Sequence, residues 1–327
     1  MPNNNKKIVF FGTPQFAVES LNALINNGFN IAAVVTMPDK PAGRGQKLQQ
    51  SPVKEFAVKL GLNVLQPTSL KDPEFINELK QINADLFIII AFRMLPEAVW
   101  TMPPLGTFNL HASLLPRYRG AAPINRAIMN GDTQTGVTTF MLKHEIDTGD
   151  ILQQVKIDIL PDDNAGTIHD KLMTIGAALT VESARNIFNG NITPIPQNSL
   201  ADKITPSPAP KIFPDDCKID WKQTAEKIHN IVRGLSPYPA ARSFMISDDS
   251  DQPLLIKIFT TKIVDKHRKD LKPGSISVVD GKRLIVSSGS DNYDIEICEL
   301  QPAGKKKMTS DAFLRGAHLK NPYFDNF

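Results

Sequence analysis

The chain has 327 residues, 41% of them hydrophobic and 22% charged, which is enough apolar side chain for two cores and excludes a disordered or fibrous protein. Its apolar runs, such as 8–11 and 86–91, are far too short to cross a bilayer, and no long hydrophobic signal region follows the first seven residues, so a soluble cytoplasmic protein is expected. Net charge is +3, with 17 basic and 17 acidic side chains in residues 1–190 and 20 and 17 in residues 191–327; so small a surplus does not by itself establish nucleic-acid binding, which depends on local clusters of Lys and Arg.

In chain order, short apolar runs at 8–11, 31–36, 86–91 and 107–110 read as strands. Amphipathic stretches at 16–26, 52–60 and 73–81 between them read as helices. The alternation predicts an α/β fold with a doubly wound, mostly parallel sheet, whose strands are continuous in Val, Ile and Phe because both faces are covered. Ligands then belong at the carboxyl ends of those strands. Further strands are expected at 137–142 and 151–156, and a long helix from 166 to about 189 closes the first domain, assigned residues 1–190.

Residues 191–212 form a connector: Pro194, Pro196, Pro206, Pro208 and Pro210, with Pro214 just beyond, exclude helix and central strand and favour an extended segment. A second domain over 213–327 opens with a helix at 221–232, and short alternating runs at 254–260, 274–279, 283–287 and 293–300 predict a small β-barrel, OB-like. Cys217 and Cys298 lack metal-type spacing. A disulfide between them is possible, but buried free thiols suit a reducing compartment better.

Two familiar cofactor motifs fail. Gly12, Thr13, Pro14, Gln15 and Phe16 stand where a dinucleotide fingerprint would, but with one glycine rather than three, so a tight strand-to-helix turn is the better reading. Gly131 and Gly136 have the outer spacing of a phosphate loop, but Val137 occupies the lysine position.

The richest segment is 108–120: Phe108, Asn109, Leu110, His111, Ala112, Ser113, Leu114, Leu115, Pro116, Arg117, Tyr118, Arg119, Gly120. Asn109 and His111 are two apart, so in an extended segment both project from one face and set an amide beside a titratable imidazole. That suits an oxyanion next to a proton transfer. A polar pair satisfying backbone groups near a strand end is the bland alternative for an isolated Asn-x-His. Asp147, Thr148, Gly149 and Asp150 follow after another predicted strand, and together these stretches resemble the folate-dependent formyltransferases.

The resemblance extends to Pro38 and Asp39 through Gly45, to Ser51, Pro52, Val53 and Lys54, to Ile219, Asp220 and Trp221, to Arg233 through Pro239, and to Leu300 through Lys306, in the expected order over nearly the whole chain. It is strongest toward the branch that formylates methionyl initiator tRNA. It implies that Asn109, His111 and Asp147 are the catalytic set, with Asp147 orienting His111, favouring its charged form and helping to relay the amine proton. It also implies that Ser113, Leu114, Leu115 and Pro116 contact 10-formyltetrahydrofolate, joined by Phe92 and Leu95 from a loop near the pterin.

The same resemblance makes Lys40, Arg44 and Lys47 an insertion entering the tRNA acceptor stem, with Arg44 foremost, and sets Lys305, Lys306 and Lys307 on tRNA phosphates from the second domain. Initiator Met-tRNA and the folate are the expected partners of a monomer, without a membrane or a metal; His111, His144 and Asp147 lack helical ligand spacing. Arg93, where the family commonly has glycine, alters the pterin loop, and Gln50 stands where proline is frequent. Formyl transfer to an amino sugar nucleotide, hydrolysis of the folate, and a non-catalytic RNA-binding module on a decayed enzyme fold are the alternatives.

Overall fold

The computed structural model describes residues 5–42, 47–200, 204–266, 270–317 and 319–325. In chain order the first part contains β1 Lys7–Gly12, α1 Gln15–Asn26, β2 Asn30–Val35, β3 Lys40–Ala42, β4 Lys47–Gln49, α2 Pro52–Lys59, β5 Val64–Leu65 and α3 Pro73–Ile82. It continues with β6 Leu86–Ile90, α4 Glu97–Trp100, β7 Thr107–His111, α5 Pro123–Met129, β8 Gln134–Met141, β9 Ile151–Asp158 and α6 Ala165–Asn189. Two compact units are built from interleaved segments, one from Met1–Gly120, Thr135–Ile157 and His169–Ala209, the other from Ala121–Gln134, Asp158–Ile168 and Pro210–Phe327.

The first unit holds a seven-stranded sheet in the order β5-β2-β1-β6-β7-β8-β9. Its β5, β2, β1, β6 and β7 run parallel, and β8 joins β7 antiparallel. All five residues of β6 are buried, the reason its sequence reads Leu-Phe-Ile-Ile-Ile without alternation. On one face Val9, Phe11, Ala33, Val35, Phe87 and Ile89 pack with Phe75, Leu79 and Val99 of the covering helices, each large apolar side chain contributing about 1.5–3 kcal/mol by leaving water.

Helix starts follow the sequence. Ser51 caps α2 by accepting from Lys54 N, with Pro52 in the first turn, and Asp72 and Pro73 do the same for α3. After β1 the chain moves to β2 on one side and returns to β6 on the other, so a switch point lies at the carboxyl ends of β1 and β6, beside the end of β7. Gly12 closes β1 there because a Cβ would stand 2.7 Å from the Cβ of Ala17.

The second unit contains α7 Ala225–Leu235, β10 Ala241–Ser247, β11 Ser250–Asp265, β12 Ile276–Val279, β13 Arg283–Val286, β14 Tyr293–Pro302, β15 Met308–Thr309, α8 Ser310–Leu314 and β16 Tyr323–Phe324. The strands order as β12-β13-β14-β11-β10-β16, and a bridge between Ser275 and Tyr323 brings the ends together into a nearly closed antiparallel barrel. The barrel core gathers Ile256, Ile258, Leu284, Val286, Ile295 and Leu300 against Ile228, Val232 and Leu235 of α7.

Three elements here depart from the sequence pattern. The predicted helix at 221–232 begins instead at Ala225, because Thr224 caps it through Lys227 N, while Asp220 accepts from Lys222 N and makes a turn. Trp221 thus precedes the helix, fully buried, stacked on Phe324 at 5.0 Å and donating its indole N–H to Ser243 Oγ at 3.0 Å. The run at 254–260 is part of a 16-residue strand, β11, whose register shifts on either side of Thr260, a bulge that bends it. Strand β10 has no hydrophobic alternation in sequence because Ser243 and Ser247 occupy two of its inward positions.

Both cysteines are free thiols, Cys217 buried and Cys298 half-buried, and burial pushes each thiol up from its ordinary value. Since the thiolate is the nucleophile, both are expected to react with iodoacetamide at pH 8 at least about tenfold more slowly in the native protein than in guanidinium. Peptide mass mapping reads this, and equal rates in the two states at Cys217 would contradict the packing.

Candidate active site

Strand β7 carries Asn109 and His111 on the same face, as the spacing predicts. Asn109 pairs with Ile89 on β6 and Phe140 on β8, and His111 with Thr138 on β8. His111 is 7% exposed. Its Nε2 lies 2.8 Å from the Tyr118 carbonyl; a carbonyl only accepts, so Nε2 carries the proton and Nδ1 is left as the ring's acceptor. Nδ1 faces Asp147 Oδ2 at 3.7 Å, beyond a direct hydrogen bond but close enough for a donor with two hydrogens, seated beside the gap, to reach both.

Asp147 sits in the loop between β8 and β9, in the left-handed region at φ 55°, and Tyr118 is also left-handed at φ 60°. Such backbone costs about 1–3 kcal/mol per residue and persists only where surroundings enforce it. Here the enforcement is visible: Gly120 N–H donates to Asp147 Oδ2 at 2.8 Å. Gly120 is at φ 123°, and a Cβ there would stand 2.7 Å from the Ala209 carbonyl oxygen. Gly149 lets the same loop fold back, since a Cβ would fall 1.6 Å from the Met141 carbonyl oxygen. The loop carbonyls of Asp147 and Gly149 both accept from Gln197 Nε2 at 2.8 Å.

The Asn109 amide differs from its neighbours. Its Oδ1 is buried with no hydrogen-bond partner among the described residues, and orphaned buried polar atoms are rare and expensive. A reacting group that brings its own N–H would satisfy Oδ1 and leave Nδ2 to donate, and a half-turn of the amide exchanges the two roles.

The segment after β7 is pinned from within. Thr138 Oγ1 donates to the Ser113 carbonyl at 2.6 Å and accepts from Leu115 N at 3.2 Å, while Gln154 Nε2 donates to the Leu115 carbonyl at 2.9 Å. Ser113 and Leu115 are fully buried, the latter packed on Phe140 and Ile151. Pro116 is buried and Leu114 half-buried, so Leu114 offers the exposed apolar surface of the four. Leu95 is buried in the sheet-face core, and Phe92 lies half-buried, 5.8 Å from Phe11. Arg93 turns its guanidinium onto the Pro67 and Thr68 carbonyls, where burial lowers its pKa; the left-handed position in this loop is Ala91, at φ 48°.

Lys40 is exposed on β3, which pairs with β4 as a two-stranded ribbon joining Lys40 to Gln49 and Ala42 to Lys47. Arg44 lies outside the described residues. The ribbon is rooted by Asp39, which accepts from Lys54 Nζ at 2.6 Å and Gln66 Nε2 at 2.9 Å; hydrogen bonds from Gln66 and Lys54 hold its carboxyl below the usual range. In the barrel unit Lys305 and Lys306 are exposed on the turn after β14, while Lys307 pairs with Glu299 at 3.0 Å and lies over the Phe259 ring. Gln197, Thr138, Gln154 and the Tyr118 carbonyl were not legible as site groups; the three side chains act through partners distant in sequence, and the carbonyl through the turn that brings it back to His111.

Comparison with known proteins finds one family's two domains along the chain. Residues 6–183 match the formyl transferase family and residues 211–318 its C-terminal domain. The chain is 50% identical over 323 residues to the methionyl-tRNA formyltransferase of Bacteroides fragilis, covering 99% of this chain and 98% of the relative. Against the methionyl-tRNA formyltransferase of Phocaeicola vulgatus it is 52% identical over 318 residues, 97% of each. Among solved structures, WlaRD, a sugar 3N-formyl transferase, superposes with a TM-score of 0.65 over 92% of this chain and 99% of its own at 22% identity, a likeness of fold. With both family domains matched in order and half the residues identical over nearly the full length, the chain belongs to the formyl transferase family.

Proposed function

We propose that this chain transfers the formyl group of 10-formyltetrahydrofolate to the α-amine of methionyl initiator tRNA, in preparation for translation initiation. The observation that carries this reading is the His111 and Asp147 pair beside Asn109 on the same strand, whose buried Oδ1 has no partner among the described residues. The full-length similarity to methionyl-tRNA formyltransferases supports the acceptor. The reading makes the protein a cytoplasmic enzyme, since translation begins there, acting as a monomer. No helix among the described residues is long and apolar enough to cross a membrane.

Each residue then has a role. Asn109 donates to the formyl oxygen as negative charge develops there when the amine attacks, the preorganised contact that electrostatic catalysis requires. His111, its Nε2 proton committed to the Tyr118 carbonyl, takes the amine's proton at Nδ1 and delivers it to the folate nitrogen that leaves. Asp147 stabilises the transient imidazolium across the 3.7 Å gap. One N–H bond of the amine is thereby exchanged for one on the folate, and the formyl C–N bond moves from donor to acceptor.

Leu114 and Phe92 supply apolar surface for the folate, with Ser113, Leu115, Pro116 and Leu95 shaping the wall behind them. Lys40, Arg44 and Lys47 read the acceptor end of the tRNA. Lys305, Lys306 and Lys307 in residues 213–327 hold phosphates, with Lys307 exchanging Glu299, a surface pair of at most about 1 kcal/mol, for a phosphate oxygen.

Purified protein incubated with 10-formyltetrahydrofolate and, separately, initiator Met-tRNA, elongator Met-tRNA and an amino sugar nucleotide tests the acceptor. Formyl-methionine is expected on initiator tRNA, with elongator tRNA a poorer substrate. Formylation of the sugar alone would overturn the reading.

A further inference from the structure

His111 meets two separate loops at its two ring nitrogens: Nε2 is hydrogen-bonded to the loop of Tyr118 and Gly120, and Nδ1 faces Asp147 of the other at 3.7 Å. A further side chain ties those loops together. Gln197 lies in the proline-rich stretch after α6, on a short 3-10 turn, and is 3% exposed. Its Nε2 donates to the Asp147 and Gly149 carbonyls, both at 2.8 Å. Its Oε1 accepts from Arg119 Nε at 3.1 Å and Arg119 Nη2 at 2.6 Å.

All four hydrogen-bonding positions of the amide are therefore used, and the partners fix its orientation: two carbonyls can only accept, and a guanidinium can only donate. The same stretch touches the first loop again at Ser207, whose Oγ accepts from Tyr118 N at 3.1 Å and whose carbonyl accepts from Arg119 N at 3.0 Å. Asp147 is thus held from its carboxylate by Gly120 and from its backbone by Gln197.

We infer that Gln197 is a positioning residue for the His111 and Asp147 pair, setting the gap across which the amine proton moves, and that the proline-rich stretch is part of the catalytic apparatus. The inference rests on the formyl-transfer reading of the site. A clamp of this kind matters because proton transfer is sensitive to displacement: a misplacement of about 1 Å can cost on the order of 10²-fold in rate.

Gln197→Glu discriminates positioning from bulk stability. The substitution keeps the shape and the acceptor for Arg119, but sets one carboxylate oxygen against two carbonyls. Its kcat at pH 8 is expected to fall on the order of 10-fold to 10²-fold, with KM for Met-tRNA and folate nearly unchanged. The deficit relative to native protein should narrow on acidification, as the introduced carboxyl gains a proton and regains one donor. The neutral Gln197→Met variant should show a similar loss with no such pH dependence.

In ligand-free protein, long-range ¹H–¹⁵N spectra should show the His111 ring nitrogens shifted in both variants. Folded variants with kcat within about twofold of native, or with unmoved His111 ring signals, would overturn the assignment. So would failure of both variants to fold, which would make Gln197 a residue of stability. Native protein inactive on Met-tRNA, yet with His111 signals that move on substitution, would defeat the acceptor reading and leave the positioning role standing.

Discussion

His111→Ala is expected to lower kcat for Met-tRNA formylation by about 10²–10⁴ while leaving tRNA binding nearly intact. That range is what positioned proton transfer typically supplies, and the His111 ring meets both the Tyr118 carbonyl and Asp147. The alanine also strips the Tyr118 carbonyl of its donor, which costs about 1–3 kcal/mol of stability if the group stays dry. His111→Gln separates the two effects, because its Nε2 can still donate to the Tyr118 carbonyl yet cannot accept and release a proton at the position of Nδ1. Its melting temperature should sit near native while its kcat stays as low as that of alanine. Single-turnover kinetics with saturating folate, beside calorimetry, read both; a glutamine variant with more than a tenth of native kcat would remove His111 from the proton path.

Much of this site was legible in sequence for simple physical reasons. The same-face placement of Asn109 and His111 follows from the two-residue period of a strand, and β7 obeys it. The doubly wound sheet was legible because strands buried on both faces must be continuously apolar, as β1 and β6 are. Strand β10 was hidden because two inward positions are serines, one of them serving the Trp221 indole, so that a tertiary hydrogen bond overrode the hydrophobic alternation. Gln197 was hidden more deeply. Its neighbours in sequence are mostly prolines and polar residues, the composition of a solvated connector, and nothing local distinguishes a glutamine that meets water from one whose four bonds tie the Asp147 loop and Arg119, 48 to 78 residues away.

Asn109→Ala should produce the opposite signature to a structural residue: a large loss of activity with little loss of stability. Removing one preorganised donor from a developing oxyanion typically costs about 10²–10³ in kcat, or roughly 2.7–4 kcal/mol. In the resting protein, however, the Asn109 Oδ1 has no protein partner among the described residues, so deleting the amide breaks no hydrogen bond to that oxygen within the chain. The small cavity left by truncation is the remaining cost, so the melting temperature is expected to stay level or fall slightly. Asn109→Asp sharpens the test, since it preserves shape but brings negative charge to the place where the reaction develops it; its kcat should fall below that of alanine at neutral pH. If Asn109→Ala instead melted well below native while retaining turnover per folded molecule, the amide would be a structural group with a hidden partner and the oxyanion role would pass elsewhere. The combination expected here, a large loss of activity with little loss of stability, is what a site selected for its transition state rather than for its resting state should show.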